Sequence, residues 1–367
     1  MLLTEEQRLL RDSARAAVAA KAPVALWRKL RAENDEPGFS RDFWRDCAEA
    51  GWAGILIPEA YGGLDFGFVG AGLIAREMGR TLAASPFLST AIMAASALKI
   101  GGSDAQKTFW LPRIAAGEAV ISVAVDEDAR HNPARIAATA TETPQGWRLS
   151  GAKTCALDGA AANAFLLAAK AGGEAALYLV QGDVPGLSRV PRRLVDDRRV
   201  AALRFENIEA REARLAGGGA LIEQVLDAGR VVLAASLCGV AEEAFARTLS
   251  YLKQRRQFDR TIGSFQALQH RVAIMHVDIE NAWSATLKAL RALDSGAADA
   301  PLQIAMAKAK AGEVGRTATA ECLQLHGGIG MTDEFDIGLF LKKARVEAEL
   351  FGDPAYHADR VATMLGY

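Results

Sequence analysis

The chain has 367 residues and is half hydrophobic by composition, long enough for two or three domains with large cores and no need of disulfides or metal to fold. Lysine plus arginine (43) against aspartate plus glutamate (44) gives a formal net charge of -1, which supplies no field suited to a nucleic-acid backbone or an anionic membrane surface. Cys47, Cys155, Cys238 and Cys322 lie far apart, without a CxxC or Cys/His cluster at ligand spacing, so free thiols, a reducing compartment and no metal are expected.

Up to Pro23 the chain has no basic region ahead of an uninterrupted apolar run, and no later segment offers the roughly 20 apolar residues of a membrane span, so a cytoplasmic chain is expected. Thr4 ahead of Glu5 and Glu6 has the form of an N-cap with an acidic first turn, and Leu9, Leu10 and Val18 continue as an apolar stripe. The loop Pro58–Gly63 interrupts the helical pattern, which resumes from Ala71 to Leu82 and stops before Pro86. From Val120 the grammar changes to short runs, Val120–Val125, Trp147–Ser150, Ala175–Val180 and Ala202–Phe205, separated by glycine-containing turns. These predict an antiparallel β-domain. Beyond Leu215 the helices lengthen. Leu268, Val272, Met275, Ile279, Trp283, Leu287 and Leu290 recur every three or four residues, and a short loop through Pro301 leads to a second such stripe ending at Cys322. Long amphipathic helices joined by short loops predict a four-helix bundle. The expected domains are therefore 1–119 helical, 120–213 β and 214–367 a helical bundle.

Helical domain, β-domain and helical bundle, in that order, resemble the acyl-CoA dehydrogenase superfamily, and local motifs across the chain carry the likeness. Gly51–Glu59 followed by Tyr61-Gly62-Gly63 looks like the family's N-terminal signature. Leu149–Lys153, with Asp158-Gly159 and Ala162-Asn163 after it, is similar to the strand-turn-strand that borders the flavin ring. Arg255, Phe258, Ile262, Phe265 and Gln266 match the run R-x-x-F-x-x-x-I-x-x-F-Q, and Gln324–Gly330 resembles the glycine-rich loop. The likeness implies FAD, with Arg255, Phe258 and Gln266 reaching the cofactor of a neighbouring subunit and Gln324, Gly327 and Gly328 also binding it, the glycines by bringing backbone amides near phosphate oxygens. The chemistry suits those roles: a guanidinium grips pyrophosphate, and glycines let backbone amides come close. The five histidines share no metal spacing.

The family's reaction, α,β-desaturation of an acyl-CoA, needs a carboxylate base beside the flavin, usually glutamate. An ungapped count from Gly327-Gly328 puts Phe351 at the first position that supplies it, and Gly229, just before Arg230, stands at the second. Neither is a carboxylate. Asp353 is the first substitute candidate, against its plain reading as a turn residue before Pro354, with Glu349 and Asp227 behind it. Other departures are Asp126–Asn132 in place of a Thr-Glu-Pro and Gly-Ser-Asp segment, Cys155-Ala156-Leu157 in place of Trp-x-Thr, and Asp259 in place of glycine. The Phe-Gly-Asp ending with His357 downstream resembles the bacterial branch that includes the pimeloyl-CoA dehydrogenase small subunit and the paired dehydrogenases of steroid side-chain degradation. The expectation is an acyl-CoA dehydrogenase that works as a homo-oligomer or with a second chain of its family, passing electrons to an electron-transfer flavoprotein. The alternatives are a non-catalytic scaffold subunit and a flavin oxidase or monooxygenase on the same fold.

Overall fold

The computed structural model describes residues 2–34, 37–211 and 213–367. In chain order the helices before the sheet are α1 (Glu5–Lys21), α2 (Val24–Glu33), α3 (Arg41–Glu49), α4 (Phe68–Thr81), a π-helical segment (Phe87–Ala94) running into α5 (Ala95–Gly101), and α6 (Asp104–Ala115). The strands are β1 (Ile121–Ala124), β2 (Thr139–Thr143), β3 (Gly146–Leu157), β4 (Ala164–Ala171), β5 (Glu174–Gln181), β6 (Leu187–Arg193) and β7 (Arg199–Ala210). The helix α7 (Gly218–Gln254) leads to a small hairpin, β8 (Arg256–Gln257) and β9 (Arg260–Thr261). The chain ends in α8 (Gln266–Asp294), α9 (Ala300–His326), α10 (Ile337–Glu349) and α11 (Pro354–Met364). Helices, then a sheet, then helices is the predicted architecture. The chain divides into two compact units, one of Met1–Trp27, Phe68–Ala83 and Arg230–Tyr367, the other of Arg28–Gly67 and Ala84–Gly229.

In the first unit the α1 start is set as its sequence predicts. The Thr4 hydroxyl accepts from the Gln7 amide at 3.2 Å and the Gln7 side chain accepts from the Thr4 amide at 3.1 Å, a capping box. The core gathers Leu237, Val240 and Ala241 of α7, Met275 and Ile279 of α8, Val314 and Cys322 of α9 and Phe340 of α10. Helices α4 and α7 approach backbone to backbone, because a Cβ on Gly79 would overlap the Ser236 carbonyl and one on Gly239 the Arg76 carbonyl. Charges near this crossing are paired, as low-dielectric surroundings require. Arg76 binds Glu242, Arg80 reaches Glu242 at 3.1 Å and Glu243 at 3.2 Å, and Arg15 holds the buried Glu77 at 3.0 and 3.1 Å.

In the second unit β4 takes β5 along one edge and β1, then β2, along the other, and the sheet continues through β3 and β7 to β6. It is antiparallel except where β1 and β2 run parallel to β4. The hairpin β2–β3 intervenes in the chain between β1 and β4, so these two strands enter the sheet in the same direction. β4 has no alternation for sequence reasoning to detect, since Ala164–Ala169 are all buried. One sequence expectation needs correction. By length and composition α7 is apolar enough to cross a membrane, yet 89% of its most apolar window is buried within the protein, so the helix is apolar because it is core. All four cysteines are free thiols.

Candidate functional site

The first base position lies on the turn between α10 and α11, within the first unit. Phe351 is buried and adopts φ 58°, a left-handed conformation that a side chain makes unfavourable, and Gly352 follows at φ 107°. Three buried donors hold this strained turn by its carbonyls. Arg230 Nε donates to the Phe351 oxygen at 3.0 Å, His357 Nε2 lies 3.1 Å from the same oxygen, and Lys308 Nζ donates to the Ala348 oxygen at 2.8 Å and the Gly352 oxygen at 3.0 Å. Burial, with Arg230 close by, pushes the Lys308 ammonium down to about 7. Burial and the neighbouring Lys308 and Arg230 charges push His357 down to about 2, so its imidazole is neutral. An amphipathic stripe offers one sequence signal for Lys308, which falls one turn after the buried Ile304.

Asp353 is the N-cap of α11, its Oδ1 accepting from the Tyr356 amide at 2.7 Å. That is the helix-start chemistry of an Asp-Pro sequence. We expect Asp353→Ala to cost about 1 kcal/mol in a denaturation experiment and, in any assembly of the chain whose flavin an acyl-CoA reduces, to leave that reduction as it was. Loss of reduction in a variant that still folds would return Asp353 to the role of base. Glu349 faces outward and pairs with Arg345 at 3.5 Å.

The second base position lies in the other unit. A Cβ on Gly229 would meet the Met93 side chain, with Sδ at 2.9 Å and Cγ at 3.2 Å, so Met93 of the π-helical segment fills the space a carboxylate there would need. No motif in the sequence pairs residues 93 and 229. Asp227, the neighbouring carboxylate, is buried. On the same unit the segment that departs at Asp126–Asn132 is tied to the sheet. The fully buried Lys153 donates to Glu127 at 2.6 Å and to the Val125 carbonyl at 3.1 Å, and His131 Nδ1 lies 2.9 Å from both Asp126 oxygens. Burial pushes the Lys153 ammonium down, with Glu127 opposing that shift.

The residues matched to cofactor contacts all lie on the first unit and on its surface. Arg255, Gln266, Gln324, Gly327 and Gly328 are exposed, and Phe258 is 85% exposed. Tyr251 in the last turn of α7 stacks on His326 with centroids 4.5 Å apart, which brings the Arg255 end of α7 beside the Gly327 loop. A Cβ on Gly327 or Gly328 would meet nothing within 4 Å, so the side of the loop where side chains would stand is open, while the Gly327 amide donates to the Gln324 carbonyl. An exposed guanidinium, an exposed phenyl ring and a glycine-rich backbone without side chains fit the pyrophosphate and adenine ends of FAD. The hairpin tip has Phe258 at φ 52° and Asp259 at φ 61°, the two left-handed positions of a tight turn in which glycine or asparagine is favoured. Asp259→Gly should therefore stabilise the protein by roughly 0.5–1 kcal/mol. A lower melting temperature for this variant would contradict the strain argument.

Family models agree with this architecture: the acyl-CoA dehydrogenase N-terminal domain matches residues 4–118 and the C-terminal domain residues 216–366. The acyl-CoA dehydrogenase IpdE2 of Mycobacterium tuberculosis is 30% identical over 357 residues, 95% of this chain and 94% of that protein. Among solved structures, a variant of the steroid acyl-CoA dehydrogenase Tcur3481–Tcur3483 is 31% identical with a TM-score of 0.91 over 98% of both chains. The ChsE4–ChsE5 complex from Mycobacterium tuberculosis is 27% identical with a TM-score of 0.91 over 99% of this chain and 98% of that one. Sequence, architecture and full-length coverage agree, and the chain belongs to the acyl-CoA dehydrogenase family of flavoprotein oxidoreductases.

Proposed function

We propose that this chain is the FAD-holding, base-lacking member of a paired acyl-CoA dehydrogenase, and that a second chain of the family supplies the carboxylate. The observation that carries this reading is that both base positions are filled with apolar mass. Phe351 is buried on its turn, Met93 covers Gly229, and Asp353 is engaged as a helix cap. Bound FAD would supply the hydride acceptor for α,β-desaturation of the thioester. Arg255, Phe258 and Gln266, with the Gly327-Gly328 backbone, would hold its dinucleotide end, and their exposure supports a site completed across an interface. Two solved relatives are themselves named as chain pairs. An acyl-CoA carrying a bulky steroid-derived group is the substrate class that the first of those names suggests. The proposed electron acceptor is an electron-transfer flavoprotein, and the proposed location the cytoplasm.

The test begins with the purified chain alone. Its visible spectrum is recorded with added FAD, and a panel of acyl-CoAs, including steroid side-chain thioesters, is then added anaerobically. The expected result is bound flavin that does not bleach, with bleaching restored when a family chain carrying the glutamate is co-expressed. Bleaching by the lone chain would overturn the paired reading. A chain that takes up no FAD either alone or with its partner would instead be a scaffold subunit.

A further inference from the structure

The residues matched to the cofactor come from two separate stretches of chain in the first unit, and a ring stack joins the two. Tyr251, in the last turn of α7, stacks on His326, the final residue of α9, with centroids 4.5 Å apart and planes 23° from parallel. Phe335 closes the cluster, its ring centroid 6.2 Å from that of Tyr251 and 5.7 Å from that of His326. On the α7 side, the Tyr251 carbonyl accepts from the Arg255 amide at 2.8 Å, and the Arg255 carbonyl accepts from the Ile262 amide at 2.9 Å. The Arg255 backbone is therefore tied at one end to a residue of the stack and at the other to the base of the β8–β9 hairpin. On the α9 side, Gly327 follows His326 directly.

The glycine loop is attached to α7 at both ends. His326 holds its start against Tyr251, and one turn earlier on α7 Arg247 donates to Asp336 at 2.9 Å, just past the loop's end. Between these points the loop folds back on the histidine, because a Cβ on Gly330 would stand 3.0 Å from the His326 Cβ. His326 is buried, and its Nδ1 lies 2.8 Å from the Cys322 carbonyl oxygen, which can only accept, so Nδ1 carries a proton. Burial holds the imidazole pKa below its usual range, with that hydrogen bond opposing the shift. The ring therefore stacks in its neutral form, in an orientation set by its own helix.

We infer that His326 is a positioning residue for the dinucleotide end of the cofactor: through its stack on Tyr251 it sets the spacing between Arg255 and the Gly327-Gly328 backbone, so that one bound FAD meets both at once. This rests on the FAD reading above and deepens it. A ligand gripped at two points gains from the second grip only when the two stand at the separation it can span. The histidine acts through that separation, and its replacement leaves the guanidinium and the glycine backbone themselves in place.

The test uses the full chain, with its partner where that is needed for FAD uptake. Apoprotein is titrated with FAD and followed by flavin fluorescence, well below the melting temperature of each variant. His326→Phe and His326→Leu both give up the hydrogen bond to Cys322, and only the first keeps a flat ring. His326→Leu and, from the other side of the stack, Tyr251→Leu are expected to weaken FAD binding roughly threefold to tenfold, the factor that an aromatic pair is worth. His326→Phe and Tyr251→Phe should stay within about twofold of wild type. A general loosening of the loop would add to the loss of Arg255, whereas a spacing role is coupled to it. In an Arg255→Ala background, where one of the two grips is gone, His326→Leu should therefore cost no more than about twofold. Wild-type affinity in folded His326→Leu and Tyr251→Leu would overturn the inference, as would equal losses in the phenylalanine and leucine variants or a full His326→Leu loss beside Arg255→Ala. If wild type itself takes up no FAD with or without a partner, the failure lies with the FAD reading, and this inference falls with it.

Discussion

Replacing Gly239 with alanine should cost the protein about 4 kcal/mol or more, enough to abolish folding of a marginal domain. The residue sits inside α7, where alanine is normally the better helix former, so propensity alone predicts the opposite sign. Tertiary contact decides the outcome. The added methyl would overlap the backbone carbonyl of Arg76, which cannot rotate away as a flexible side chain can, so α4 and α7 would have to separate. Separation would also pull Arg76 and Arg80 from Glu242 and leave part-buried charges less well paired. Gly219 in the first turn of the same helix is the internal control. A Cβ there meets nothing within 4 Å, and Gly219→Ala should be neutral or stabilise by up to about 1 kcal/mol. Urea denaturation of the two variants checks the argument, and equal midpoints would show that the α4–α7 approach is not as close as described.

The second large effect is a dependence of stability on pH that arises from the turn at Phe351. Lys308 has a folded value of about 7 against an ordinary 10.5, so between these values the unfolded chain holds a proton that the folded chain refuses. Stability therefore falls as pH drops from about 10.5 to about 7, with a slope near 1.4 kcal/mol per pH unit from this group. His357 works in the same direction lower down. Its folded value of about 2 lies below the ordinary 6.5, so the stability of the neutral imidazole is complete above pH 6.5 and is lost as pH falls towards 2. Lys308→Met should flatten the upper window, while leaving the Ala348 and Gly352 carbonyls without their donor at a cost of about 1–3 kcal/mol each. His357→Gln keeps a donor for the Phe351 oxygen and should flatten the lower window alone. Denaturation across pH 4 to 10 reads both slopes, and slopes unchanged by the substitutions would mean that other groups titrate there. Because all three donors end on the turn that carries position 351, acid should loosen that turn as stability declines.

Much of the fold is legible in short-range chemistry. The Thr4 capping box, the stripe along α8 and the glycine turns between strands each need only a few consecutive residues, and helix period, cap chemistry and turn preference act over that range. Hence the order of helices, sheet and helices, and the motifs around Arg255 and Gly327, identify the family from sequence. Strands β2, β4 and β6 lay beyond that reach. β4 is apolar on both faces and shows no alternation, while β6 is an exposed edge with proline and arginine in it. The parallel pairing of β1 with β4 depends on a partner introduced only after another hairpin.

The candidate site divides along the same line. From the sequence alone came the expectation that neither usual base position carries a carboxylate, together with the run of cofactor-type residues around Arg255 and Gly327; their exposure came from the structure. Only the tertiary structure decided what fills those positions and what the substitutes do. Met93 over Gly229, Arg230 on the Phe351 carbonyl and Lys308 on that of Gly352 join residues from different elements. Even Asp353, whose neighbour Pro354 hints at a helix start, is fixed as a cap by the direction of one hydrogen bond. Periodicity and capping leave a mark in the local sequence because their partners lie within a turn of the chain. A buried cation seeking a distant carbonyl leaves none, because packing alone brings the two together.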